Sequence, residues 1–326
     1  MTNRKVLSGL TADSYQHPAD QKSLASLEKM PGLPMLLKKI NEYGIDRLLR
    51  LQTMGGEFRV SDRNFPKLHR AFLETCLILD VTPLPDLYLF KGTGYIQTNA
   101  IGVEKPLVSV NLEALEWLSA DELLFVLGHE VARIKGKYLT YQQMALVMPL
   151  LKNLISTTTL GFGGLAANGI EVALYNWIVM SKFTCDRAGF LACQDLDVAI
   201  AALMKLGGLP GEYLNADTLD DFVTQAREFD LSTLDNLDQM TKFFSFMEYR
   251  FPWAIMRASE LLKWVDSGAY RAFTQPGSLP PESPPEPEAQ EETETVVPMI
   301  EEPDERSPDP ANPKTDPEDW NFLSSW

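Results

Sequence analysis

The chain has 326 residues, 45% of them hydrophobic, and a formal net charge of −16. That is enough to bury a substantial core in one large domain or two small ones. The charge excludes a nucleic-acid partner, since no basic stripe is present to neutralise phosphates. Most of it lies at one end: residues 275–326 hold fourteen Asp/Glu and two Lys/Arg.

Residues 1–30 are polar and read as an irregular arm, with no apolar run long enough for a secretory signal. The segment "LPMLLKKINEYGIDRLLRLQ" (33–52) spaces Leu37, Ile40, Ile45, Leu48 and Leu49 as a helix does. Its Lys38, Lys39, Arg47 and Arg50 read as a solvated face over a core, or as a face for an anionic surface. A second amphipathic helix spans 64–80 and stops at "VTPLPD". Three β-like runs follow, at 86–91, 94–101 and 106–111, and predict a small sheet with tight turns between them.

"LSADELLFVLGHEVARIKGK" then opens with Ser119 and Glu122 at capping-box spacing, which predicts a helix over 120–136. Between Lys152 and Glu171 lie eighteen uncharged residues, "NLISTTTLGFGGLAANGI". Their number suits a membrane span. Their Gly, Ser, Thr and Asn content favours a buried helical hairpin or a surface-seeking segment, that is, peripheral membrane contact. Helical segments continue to about residue 270. The three cysteines, Cys76, Cys185 and Cys193, form no C-x-x-C pair and are odd in number, which fits a reducing, cytoplasmic setting.

Beyond residue 274 the composition changes: twelve prolines fall within 275–326. Such a stretch cannot bury enough apolar area to offset its ordering entropy, so a disordered, extended tail is expected over 274–326. Its last residues, "PEDWNFLSSW", end the polar pattern with Trp320, Phe322, Leu323 and Trp326, an aromatic cluster suited to docking on a partner.

The chemistry concentrates at His129–Glu130. In an H-E-x-x-H helix two histidines one turn apart hold Zn²⁺ and the glutamate acts as general base on a metal-bound water. Here the second histidine position is Arg133, which has no lone pair to give. The chain has three histidines, and neither His17 nor His69 has ligand spacing with His129. Glu171 and Asp186 are the carboxylates that an unorthodox site with His129 would use. Cys185 is a conceivable nucleophile, though a cysteine at a small packing position is ordinarily inert.

Taken together, "LLFVLGHEVARIKGKYLTYQ" and the later "WIVMSKFTCDRAGFLA" resemble the zinc metallopeptidases of the HtpX and CAAX-prenyl-protease type, a gluzincin group. The matching letters of the second stretch are Ser181, Phe183, Thr184, Asp186, Arg187, Ala188 and Gly189. "TNAIGVEKPLVSVN" resembles the strand segment before the active-site helix, and "RFPWAIMRASELL" the family's later H-P-x-x-x-x-R segment. The resemblance implies an α+β, mainly helical gluzincin-like domain with a small β-sheet over 31–273. It implies that Asp186 orients His129, and that Asn99, Phe251 and Arg257 belong to the cleft.

The departures fall on the positions that do chemistry. Arg133 stands for the second histidine, Lys182 for the glutamate ligand, and Phe251 for the later histidine. Each unit-charge pair at about 4 Å is worth roughly 4 kcal/mol at an effective dielectric near 20, so a dication facing two cations is repelled. No cofactor is therefore expected where the family would hold zinc. Glu130 and His129 become vestigial, and a pseudoenzyme that binds a protein or extended peptide is the expected function. An active metalloendopeptidase with altered ligands is its rival.

Overall fold

A computed structural model describes residues 4–158, 162–229 and 253–274. Its helices are α1 (Pro18–Glu28), α2 (Leu33–Glu42), α3 (Ile45–Gly56), α4 (Pro66–Ile78), α5 (Leu112–Trp117), α6 (Ala120–Lys135) and α7 (Leu139–Thr158). The chain continues as α8 (Phe162–Cys193), α9 (Leu196–Leu206), α10 (Ala216–Glu228), α11 (Ala254–Asp266) and α12 (Arg271–Thr274). Four strands, β1 (Phe58–Arg59), β2 (Asp86–Phe90), β3 (Thr98–Ile101) and β4 (Leu107–Asn111), form one sheet in the order β1-β2-β4-β3. The fold is thus mainly helical with a small mixed sheet, as the sequence implies.

The sheet is mixed because β2 and β4 run parallel while both outer strands pair antiparallel. Alternation gives it two faces. Val108, Val110, Leu87, Leu89 and Ala100 enter the main core with α6, while Tyr88, Ile101 and Leu107 pack with Leu49 of α3. The expected strand over 94–101 forms only from Thr98. Residues before it are held as a loop instead: Asn111 Oδ1 accepts from the Gln97 amide (2.9 Å), and Glu113 Oε1 accepts from the amides of Thr93 (2.7 Å) and Gly94 (2.6 Å).

The predicted helix over 33–52 is two helices. Gly44 adopts φ +62°, a left-handed conformation that ends α2 and redirects the chain into α3. The expected irregular arm is also corrected. Residues 12–15 form a 3-10 turn and α1 follows, started by Pro18 at its first position and capped by His17, whose Nδ1 accepts from the Ala19 amide. Asp20 of α1 is fully buried. It accepts from Tyr138 Oη (2.5 Å), Thr184 Oγ1 (2.6 Å) and Trp177 Nε1 (2.9 Å), so tertiary partners on α8 and before α7 replace the water this polar segment would otherwise keep.

Helix α6 begins with the expected capping box: Ser119 Oγ accepts from the Glu122 amide and Glu122 Oε2 accepts from the Ser119 amide (2.6 Å). Every residue from Glu122 to Arg133 is buried, so α6 is a central helix rather than a surface one. It crosses α8 closely because neither helix has a side chain at the crossing. A Cβ on Gly128 would meet Ala192 Cβ at 2.8 Å, and one on Gly189 would meet the Phe125 carbonyl oxygen at 2.6 Å. Residues 153–158 of the uncharged stretch end α7 and residues 162–170 begin α8, and no helix of the described residues is long and apolar enough to cross a membrane. Phe251, Trp320, Phe322 and Trp326, with the predicted tail, lie outside the described residues.

Candidate functional site

The α6–α8 crossing places His129 against Asp186. The Nδ1–H of His129 donates to Asp186 Oδ1 (2.8 Å). Arg257 of α11 grips the same carboxylate with both ends of its fork, Nε to Oδ2 (2.7 Å) and Nη2 to Oδ1 (2.6 Å). All three residues are buried. Burial opposes ionisation of Asp186, but the Arg257 charge and the hydrogen bonds from Arg257 and His129 outweigh it and hold the carboxyl well below its usual range. Burial, aided by Arg133 and Arg257 and opposed by Asp186, holds His129 below its ordinary value, which keeps the imidazole neutral. With Nδ1 protonated, Nε2 carries the lone pair a metal would use.

That lone pair is taken. Arg133 Nη2 donates to His129 Nε2 at 3.0 Å, one helical turn on. The guanidinium also lies beside Glu130, with Nε 3.3 Å from Oε2. That approach is close enough for attraction but off the angle of a hydrogen bond, so Arg133 Nε and Glu130 Oε2 have no hydrogen-bond partner. The other carboxylate oxygen of Glu130 accepts from Thr98 Oγ1 of β3 (2.7 Å). Thr98 is a site residue the sequence reading missed. Its signal was available, since it immediately precedes Asn99 in the strand beside the helix.

Lys182 lies on α8 one turn before Asp186 and is buried. Burial, with the charges of Arg257 and Arg133, pulls its ammonium down to about 7 despite Asp186 and Glu130. It is therefore a weaker cation than its residue type suggests, which refines the expectation of two fixed positive charges. Asn99 is also placed differently from expectation. Thr98 turns toward α6, so Asn99 faces the opposite side with Tyr88, Ser109 and Ile101. It reaches the cleft only through the backbone of an edge strand. Arg257 is brought to the centre, where it orients Asp186.

The zinc the resemblance implies requires electron pairs converging on one point. The chain presents a histidine nitrogen already bonded to a guanidinium, a second such guanidinium on Asp186, and a lysine at the glutamate position. These residues do not fit the ion. Glu171 does not repair the set: it shares α8 with Asp186, fifteen residues and so about 22 Å along the axis away. Among the described residues no group of three His, Cys, Asp or Glu could hold a metal. Burial pushes the Cys185 thiol far above its usual value, so the nucleophile reading has no thiolate.

The sequence reading also missed what braces α8 from outside. His17 Nε2 lies 3.0 Å from Glu260 Oε2 of α11, and the His17 amide donates to Thr184 Oγ1 (3.0 Å). Arg187 donates to the Tyr15 and Gln16 carbonyl oxygens (3.3 and 3.0 Å). The segment before α1 thus ties together the helices carrying Asp186 and Arg257. The "HPAD" start signal was its only trace in sequence.

A buried His–Glu helix, crossed by a helix that orients the histidine and edged by a strand, defines a metallopeptidase-type domain. Comparison with known proteins agrees. The profile of peptidase family M48 matches residues 62–218. The plastoglobule-localized metallopeptidase 48, chloroplastic, of Arabidopsis thaliana is 30% identical over 271 residues, covering 81% of this chain and 76% of that one. A protease HtpX homolog of Moorella thermoacetica is 24% identical over 200 residues, 52% of this chain and 63% of its own. No solved structure matches. The chain belongs to peptidase family M48.

Proposed function

We propose that this M48 domain is a pseudoenzyme: metal-free, non-hydrolytic, and retained to bind a protein or extended peptide. The observation that carries the proposal is the 3.0 Å bond from Arg133 to His129 Nε2. A guanidinium there consumes the electron pair of the first ligand and puts a positive charge where a dication would sit. Lys182 removes the third ligand in the same way at neutral and lower pH. Together the two residues stand in for the lost metal charge beside Glu130, which would otherwise be a buried carboxylate without compensation.

Binding in this reading uses surfaces that need no metal. The outer edge of β3, which no described strand pairs, can take an extended peptide, and the aromatic tip at Trp320–Trp326 supplies a second docking element. The location we propose is a reducing compartment, in keeping with three free, buried cysteines. The chloroplast named for the Arabidopsis relative is the alternative to the cytosol.

The test is the metal content of the purified full chain, alongside peptide cleavage with and without chelator. The unsubstituted chain should hold no stoichiometric zinc and cleave nothing. Arg133→His with Lys182→Glu should restore zinc binding. Tight zinc or chelator-sensitive proteolysis in the unsubstituted chain overturns the proposal.

A further inference from the structure

Among the described residues fifteen large apolar side chains are exposed, and six of them lie between Met35 and Phe58. On α3 they form one row, Leu48, Leu51 and Met54, at 59%, 56% and 52% exposure. The opposite side of α3, with Ile45, Leu49 and Thr53, packs inward. Among the described residues this row is a helix face without a partner, and its charges say what kind of surface it suits.

The acids of this region are turned inward or already paired. Asp46 Oδ1 accepts from the Val103 amide (2.6 Å) and Gln143 Nε2 (2.9 Å), and Glu57 Oε2 accepts from Ser109 Oγ (2.7 Å). Glu42 is bound by Lys39 Nζ at 3.0 Å. Arg47 remains exposed and falls within the apolar row, between Leu51 and Met54 by helical spacing, while Lys38, exposed on α2, lies 3.8 Å from Glu42 and the half-buried Arg50 donates to the Lys105 carbonyl oxygen. The α2–α3 face is therefore apolar and positive on a chain whose net charge is −16. Next to it, Ile170 sits under Gly32 at the start of α2, where the uncharged stretch between Lys152 and Glu171 ends.

We infer that the outward face of α2 and α3 docks onto an anionic lipid surface. Basic side chains interleaved with leucine and methionine on one helix face suit headgroups above acyl chains. The chain would lie on the membrane through this face. The inference does not depend on whether the peptidase site holds metal.

The test is co-sedimentation of the full chain with vesicles of phosphatidylcholine, with and without phosphatidylglycerol. Binding is expected only when phosphatidylglycerol is present, and it should weaken as salt rises to about 0.5 M. Leu48→Gln with Leu51→Gln should lower partitioning at least about tenfold, and Arg47→Glu at least about fivefold. Leu77→Gln, at an exposed leucine of α4, should change nothing. Circular dichroism shows that each variant is folded. Equal binding to both vesicles, no binding to either, or binding indifferent to the α3 variants overturns the inference. So does self-association of the unsubstituted chain that Leu48→Gln with Leu51→Gln abolishes, since the face would then be an interface between copies.

Discussion

Lys182 shows most directly how the site's charges are balanced. Its ordinary value is 10.5, and burial with two neighbouring guanidinium groups brings it to about 7 in the folded chain. Between those values the unfolded chain binds more protons than the folded one, so this residue makes stability rise with pH. Its destabilising effect is full below about pH 7 and fades as pH approaches 10.5. Lys182→Met removes that linkage. The variant should be more stable than the unsubstituted chain at pH 6–7, and the difference should shrink by on the order of 1 kcal/mol per pH unit from about pH 7 upward. Urea unfolding of both chains across pH 6–10 measures it. The comparison must be a difference, because the buried thiols of Cys76, Cys185 and Cys193 are all raised and lower stability at alkaline pH in both chains. A pH-independent difference would mean that Lys182 keeps its proton through a stronger partnership than its surroundings suggest.

The geometry that brings these residues together is set by the crossing of α6 and α8. Gly189 has the Phe125 backbone oxygen 2.6 Å from where its Cβ would be, with that phenylalanine's ring also within 3.1 Å. Carbonyl oxygen cannot rotate away as a side chain can, so Gly189→Ala must push the helices apart. A cost of about 1–3 kcal/mol follows, the usual range for overpacking a close-packed interior. It should appear as a lower urea midpoint with an unchanged slope. An exposed helical glycine would gain stability from the same change, so the sign separates packing from propensity. These elements differ in how much of them could be read from sequence. The α6 capping box is local, and its boundaries follow from Ser119 and Glu122 alone. The α2–α3 break was missed because apolar spacing continues across Gly44 while only the backbone turns. Helix α1 was missed because its burial depends on Asp20 meeting Tyr138, Trp177 and Thr184, more than a hundred residues away. Motif order identified His129, Arg133, Lys182 and Asp186. It could not reveal that Arg133 bonds to His129, that Arg257 grips Asp186 with two nitrogens, or that Thr98 occupies Glu130.

At the scale of the whole molecule, the question is whether the fold needs a metal. A ligand that binds only the native state adds stability as RT ln(1 + [L]/Kd), about 2.7 kcal/mol at a hundredfold excess over Kd. This chain has a different arrangement at its centre. The α6, α8 and α11 helices are joined by direct side-chain hydrogen bonds among His129, Asp186 and Arg257, and the segment before α1 ties α8 to α11 through His17 and Arg187. The unfolding temperature should therefore be unchanged by chelator and should not rise with added zinc. Zinc taken up by unfolded cysteines would lower it, which is opposite in sign to native-state binding. Arg133→His with Lys182→Glu should reverse the pattern: a lower midpoint without metal, because a buried charge network has been broken, and a rise of several degrees on titration with zinc. Calorimetry of both chains with and without zinc distinguishes the two. A zinc-dependent rise in the unsubstituted chain would mean that Arg133 yields its place on His129 to the ion, and that the guanidinium bond is only a resting arrangement of an active peptidase.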